Sequence, residues 1–226
     1  MATFCLLHGN WHDGSCWQPL IESLEARGHQ AVAPDLPFDD PETTYADRIR
    51  PALNALENVS GTVVVVGHSM ASGYAPLVAA EHPGSLLVHI CPRMAFTPPD
   101  GAPAPFRKDF PFPTPGPGGV MVWEPAAAIA AMYGRFPAET ARAFADRLHP
   151  GAPAADDSPL SGHPDIPTVL IYTSDDEIFE PEWERFMARE LVGVEPIELP
   201  GGHYPMVEDP EGLADLLSRL ATDHSA

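Results

Sequence analysis

Positive charge is what this 226-residue chain has least of. Lysine occurs once, at Lys108, and the 12 basic residues face 32 acidic ones, for a formal charge of −20. A surface of that sign repels phosphate backbones and anionic lipid headgroups, so no nucleic-acid partner and no membrane partner is expected. Cysteine is also scarce. Cys5, Cys16 and Cys91 are odd in number, far apart and in no Cys-x-x-Cys pair. They offer neither a disulfide framework nor a zinc site, and they suit a reducing, cytoplasmic setting. No apolar run approaches the roughly 20 residues of a membrane span. The N-terminus lacks a basic stretch followed by an apolar core, so no secretory leader is expected. What remains is an ordinary globular balance, 44% hydrophobic and 19% charged, which excludes disorder throughout. The 28 Pro and 18 Gly leave room for long irregular loops.

Hydrophobic patterning predicts strands at Thr3–Leu7, Gln30–Ala33, Thr62–Val66, Ser85–Ile90, Thr168–Tyr172 and Val194–Leu199. Helices are predicted between and after them, at Ser15–Arg27, Thr43–Glu57 (kinked or split at Pro51), Met70–Glu81, Pro181–Leu191 and Pro210–Ala221. Thr62–Val66 carries four consecutive valines, and a run apolar on both faces belongs in the middle of a parallel sheet. Pro196 inside the last strand suits an edge. Strands alternating with helices give an α/β fold: a doubly wound, mostly parallel six-stranded sheet with right-handed crossovers. The alternation lapses between about residues 92 and 167, where Pro, Gly and Phe crowd together around two short helices, Pro125–Tyr133 and Pro137–Leu148. The expectation is one domain over 1–226 with a cap insertion between its fourth and fifth strands.

The chemistry centres on Gly67-His68-Ser69-Met70-Ala71, where a buried strand turns directly into a helix. So tight a turn needs small neighbours and raises the serine hydroxyl at the carboxyl end of the sheet. A helix N-cap serine is the plain alternative. A nucleophilic serine needs a base, and the base needs an orienting carboxylate. His203, on Gly201-Gly202-His203 after the last strand, lies at the same sheet edge. The loop after the preceding strand offers Asp175, Asp176 and Glu177, among which spacing does not choose. An oxyanion hole needs backbone amides, and those of Met70 and Asn10 are the candidates, with Gly9 letting the first loop come close. His8 and His12 lie on a loop without a third ligand, so neither a metal nor any other cofactor is expected.

These segments resemble the α/β-hydrolase superfamily, and more narrowly its plant methylesterase and hydroxynitrile lyase branch with the bacterial relatives of that branch. The resemblance rests on His8-Gly9-Asn10-Trp11-His12 with Cys16-Trp17, on Gly67-His68-Ser69-Met70, on Asp176-Glu177-Ile178-Phe179 and on Gly201-Gly202-His203. It implies Asp176 as the acid, a cap over the active site, and a strand order of 4-3-5-6-7-8 in the family's count. The lyases of the branch carry a lysine directly after the catalytic histidine and a threonine in the first loop. This chain has Tyr204 and Gly9 there, which favours ester over cyanide chemistry.

The sequence therefore predicts a serine hydrolase for an ester or thioester of a small, fairly apolar molecule. The alternative is a lyase, cyclase or acyl transferase using the same three residues. Trp11, Arg93, Phe96, Trp123, Tyr133 and Tyr204 are candidate substrate contacts. Further cap residues, Phe106, Phe110, Phe112, Met121 and Met132, either line an apolar pocket or pack the cap onto the sheet. Arg93 lies just past the fourth strand, where a cation pairs either with a surface carboxylate or with a substrate carboxylate.

Overall fold

The computed structural model describes residues 1–94, 99–155 and 158–225. The chain runs β1 (Thr3–Leu7), α1 (Gln18–Glu25), β2 (Gln30–Val32), α2 (Tyr45–Leu56), β3 (Val63–His68), α3 (Ala75–Ala80) and β4 (Leu86–Ile90). A second stretch holds β5 (Thr114–Pro115), β6 (Met121–Val122), α4 (Pro125–Met132) and α5 (Ala138–Ala145). The sheet pattern then resumes with β7 (Thr168–Thr173), α6 (Pro181–Phe186), β8 (Ile197–Leu199), α7 (Pro205–Glu208) and α8 (Pro210–His224). Six strands form one parallel sheet in the order β2-β1-β3-β4-β7-β8. That is the order the resemblance implies. β8 is an edge strand that begins one residue after Pro196, because a missing N–H cannot continue the ladder.

The valine run explains the layering. Side chains alternate across a strand, so Val64 and Val66 enter one core with Phe4, Leu6 and Val88, while Val63 and Val65 enter the opposite core with Cys5, Leu7 and Leu87. Trp17, Leu20 and Leu24, with Leu213 and Leu217 of α8, close the first face; Leu56 of α2 and Val78 of α3 close the second. A sheet buried on both sides exposes only its strand ends to ligands, and the carboxyl end is where the candidate residues collect.

Several elements differ from the sequence expectation. The helix predicted over 70–81 is a 3₁₀ turn, Ser69–Gly73, followed by the short α3, which holds Pro76 in its first turn, where the missing N–H leaves no helical bond unmade. α2 runs unbroken through Pro51, anchored by a capping box between Thr44 and Asp47. α6 passes into a π-helical turn, Met187–Val192, that ends at left-handed Gly193. The strand predicted from Val194 shortens to Ile197–Leu199, and the helix predicted from Pro137 to Leu148 shortens to α5. The β5–β6 hairpin and the one-turn α7 lie outside the predicted elements. No helix among the described residues is long and apolar enough to cross a membrane.

Candidate active site

Three non-glycine residues among those described hold positive φ: Trp11 (66°), Ser69 (51°) and Cys91 (44°). Ser69 and Cys91 are the first residues past β3 and β4, and Trp11 follows β1 by four. All three lie at the carboxyl edge of the sheet. Conformations of this kind cost roughly 1–3 kcal/mol each and persist only where the surroundings hold them. At Ser69 the hold is visible. A Cβ on Gly67 would lie 2.7 Å from Ala75 Cβ and 3.0 Å from Ser72 Cα, so only glycine lets the turn close this tightly. Ser72 Oγ donates to the Gly67 carbonyl (2.8 Å), and the Arg93 amide donates to the Ser69 carbonyl (2.9 Å). Met70 is the first residue of the turn after Ser69, where a backbone N–H has no acceptor within the helix.

The first loop is fixed by two histidines. Leu36 N–H donates to His8 Nε2 (2.8 Å), so His8 carries its proton on Nδ1 and donates to the Gly9 carbonyl (2.9 Å). Tyr133 O–H donates to His12 Nε2 (2.8 Å), and His12 Nδ1–H donates to the Asn10 carbonyl (2.9 Å). Burial pushes both imidazoles below their ordinary pKa, that of His12 to about 4, so both are neutral at pH 7. Gly9 lies against the turn at Ser69: a Cβ there would lie 3.0 Å from Ser69 Cβ. The Trp11 amide is taken by the Asn10 side chain (3.1 Å), which also donates from Nδ2 to the Ala152 carbonyl (3.1 Å). The Asn10 amide has no partner among the described residues.

His203 and Asp176 face each other in full burial, Nδ1 to Oδ2 at 2.7 Å. Asp176 Oδ1 accepts from the amides of Ile178 (2.7 Å) and Phe179 (2.8 Å). Burial alone would raise this carboxyl, but His203 and the two amides outweigh it and hold it below the usual carboxylate range. Asp175 points outward to Arg135 (3.5 Å), and Glu177 Oε2 accepts from the His203 amide (2.9 Å). Of the three acids, only Asp176 meets the ring. Ser69 Oγ and His203 are not hydrogen-bonded to each other; the two residues are linked through His68, whose Nε2–H donates to the His203 carbonyl (2.8 Å). Cys91 Sγ lies within 4.8 Å of ligand atoms of Asp176 and His203. Burial keeps that thiol protonated, and the other two atoms are bonded to each other, which is a poor donor set for a metal.

Ser69 and Met70 open onto a cavity of about 290 Å³, lined also by Asn10, Trp11 and Arg93 and walled by Phe106, Phe110, Phe112 and Met121. Of the candidate substrate contacts, Trp11 and Arg93 line this cavity. Trp123 sits behind the wall, edge-on to Trp11 (5.7 Å) and Phe110 (6.0 Å). Tyr133 and Tyr204 are buried away from the lining, Tyr133 on His12 and Tyr204 on Met132 Sδ (3.4 Å). Phe96 lies outside the described residues. The sequence reading missed Ile178, Phe179, Pro113, Ala152 and Pro153 as lining residues. The first two lie two and three residues after the acid, which is a usable signal; the other three have none.

Residues 6–216 match the model of the alpha/beta hydrolase family. A pyrethroid hydrolase of Sphingobium wenxiniae is 25% identical over 96% of this chain and 86% of its own. A probable esterase of rice, PIR7A, is 24% identical over 98% and 97%. The crystal structure of the Arabidopsis methylesterase MES16 superposes with a TM-score of 0.77 at 20% identity, covering 98% of this chain and 99% of that one. A serine on a strained strand-to-helix turn, beside a buried His–Asp pair on the next loops of a parallel sheet, agrees with that match: the chain belongs to the alpha/beta hydrolase family.

Proposed function

We propose that the protein is a serine esterase that cleaves an ester or thioester of a small, fairly apolar molecule through an acyl-enzyme. The observation that carries this reading is the buried 2.7 Å contact between His203 Nδ1 and Asp176, at the same sheet edge as Ser69 with its positive φ. As substrate docks, the serine hydroxyl comes within reach of His203 Nε2, a hydrogen bond that often forms only in the loaded site. Ser69 Oγ attacks the carbonyl carbon, and His203 takes its proton. The ionised Asp176 holds the ring in the Nδ1–H tautomer and stabilises the imidazolium. The amides of Asn10 and Met70 receive the developing oxyanion. His203 returns the proton to the departing alkoxide or thiolate, and a water activated by the same imidazole then releases the acid.

The rice and Arabidopsis relatives are named as esterases and the Sphingobium relative as a hydrolase, which supports this reading, and Tyr204 supports it over cyanide chemistry. A buried, neutral phenol stands where the related lyases carry a lysine for the departing anion. Labelling with a fluorophosphonate and turnover of a p-nitrophenyl ester test the reading together. The intact protein is expected to do both, and Ser69→Ala to do neither, with turnover lower by several orders of magnitude. Full labelling of the alanine variant would sink the assignment.

A further inference from the structure

The cavity is lined by a cation that has no hydrogen bond or ion pair among the described residues. In a chain of 12 basic and 32 acidic residues, free positive charge is uncommon. Arg27, Arg50, Arg107, Arg135, Arg147 and Arg189 are each ion-paired with a carboxylate. Arg48 is buried on Tyr74 Oη and backbone carbonyls, and Arg185 donates to Tyr172 Oη. The Arg93 guanidinium has no hydrogen bond or ion pair among the described residues. Lys108, Arg142 and Arg219 share that freedom, but none of them lines the cavity.

The place of Arg93 is also set by the backbone. Its amide is bonded to the Ser69 carbonyl, so its side chain starts beside the nucleophile and reaches along a wall that is otherwise mostly apolar. From these observations we infer that the cavity takes an ester bearing a carboxylate a few bonds from its scissile carbonyl, with that carboxylate received by Arg93. The inference rests on the esterase reading of Ser69 and narrows its substrate class. A guanidinium presents a planar fork that a carboxylate matches with two parallel bonds. The aromatic wall takes the uncharged remainder. Arg93 is the one charged residue lining the cavity, so an anion there has a single cation to meet, and a single cation suits a monoanion better than a dianion.

The test pairs two esters of similar length, the p-nitrophenyl monoester of adipic acid and p-nitrophenyl heptanoate. The readout is the ratio of their kcat/KM values in one preparation, which cancels any loss of folded enzyme. In Arg93→Met the adipate-to-heptanoate ratio is expected to fall tenfold or more, chiefly through KM for the adipate. Arg93→Lys, which keeps the charge and loses the fork, is expected to lie between the two. A fall of less than tenfold in Arg93→Met overturns the inference. Calorimetric binding of monomethyl adipate to Ser69→Ala, with and without Arg93→Met, decides the matter without chemistry. A dissociation constant raised tenfold or more by Arg93→Met supports the assignment, and a smaller change overturns it. If the intact protein binds the ligand through Arg93 but turns over neither ester and resists the fluorophosphonate, the esterase reading fails while the anion site stands.

Discussion

Ser69 pays for its exposure with a left-handed backbone that any side chain with a Cβ disfavours. Glycine would relieve that cost, offset in part by the extra freedom glycine has in the unfolded chain, for a net gain of about 1 kcal/mol. In a chain of this size that is a rise of about 2–4 °C in Tm. Ser69→Gly should therefore melt higher than the intact protein while losing all turnover, and Ser69→Ala should lose turnover without the rise. A glycine variant that melts at or below the intact protein would show that the turn is not strained there. The serine was legible in the sequence because strand, small residues and helix follow one another within a few positions. From spacing the acid was legible only as a trio, and the family resemblance alone singled out Asp176. Successive residues of a tight loop point in different directions, so Asp175 turns to Arg135, Asp176 to the imidazole and Glu177 to a backbone amide. Chain spacing carries none of that. Tyr204 misleads for the same reason: next to His203 in sequence, its hydroxyl points into the core.

Among the elements, the central strands β1, β3 and β4 were legible because burial on both faces leaves an unmistakable apolar run, whereas the half-exposed edge strand β8 was placed too early. The β5–β6 hairpin was not legible, since two residues per strand set no period. Loops held by tertiary contacts are equally silent, and the loop that presents His203 is the main case. Gly202 N–H donates to the Glu208 carboxylate (3.0 Å), His203 N–H donates to Glu177, and Arg135 reaches Glu208 (3.4 Å) from the connection between α4 and α5. A Cβ on Gly202 would lie 2.6 Å from both carboxylates, so the loop is clamped between them. Glu177 is therefore expected to act on the proposed reaction through the position of His203. Glu177→Ala leaves the His203 amide without its acceptor and is expected to lower kcat by about tenfold or more, in keeping with the 1–3 kcal/mol cost of an unsatisfied buried donor. Glu177→Gln keeps an acceptor oxygen and should restore most of the rate. With Asp176→Asn already in place, Glu177→Ala should cost far less than it does alone, because both residues act on one ring. Measuring kcat for the single and double variants checks this; additive losses, or glutamine behaving like alanine, would remove Glu177 from the role.

At the scale of the whole molecule, a formal charge of −20 suggests that stability should peak near the sequence pI of about 4.6, where self-repulsion vanishes. The buried histidines argue otherwise. His8, His12, His68 and His89 have their pKa lowered, first of all by burial, to about 4 for His12 and about 3 for His89, and His29 and His163 move the same way. As pH falls below about 6.5, the unfolded chain binds protons that the folded chain refuses, so each of these groups removes stability over that window. A tenfold loss of proton affinity on folding corresponds to about 1.4 kcal/mol, and the four buried histidines acting together outweigh the relief of surface repulsion. Two glutamates act in the opposite sense. Glu184 is fully buried with neither carboxyl oxygen hydrogen-bonded, and burial, followed by the charge of Asp176, raises its pKa well above the ordinary value; Glu177 is raised by burial as well. Folded, these hold a proton that the unfolded chain has released, so they remove stability as pH rises above about 4.5. Below pH 6.5 the more numerous histidines dominate. Above it the histidines are neutral in both states; the glutamates and the net charge remain, joined from about pH 8.5 by the thiols of Cys5, Cys16 and Cys91, which burial keeps protonated in the fold. Thermal melts across the pH range should therefore peak near about pH 7, fall steeply by about pH 5 and decline gently toward about pH 9. Glu184→Gln, which cannot ionise, should flatten the alkaline decline and leave the acid limb in place. A maximum at the pI, or an alkaline limb as steep in Glu184→Gln as in the intact protein, would show that surface charge and not these buried groups governs the fold.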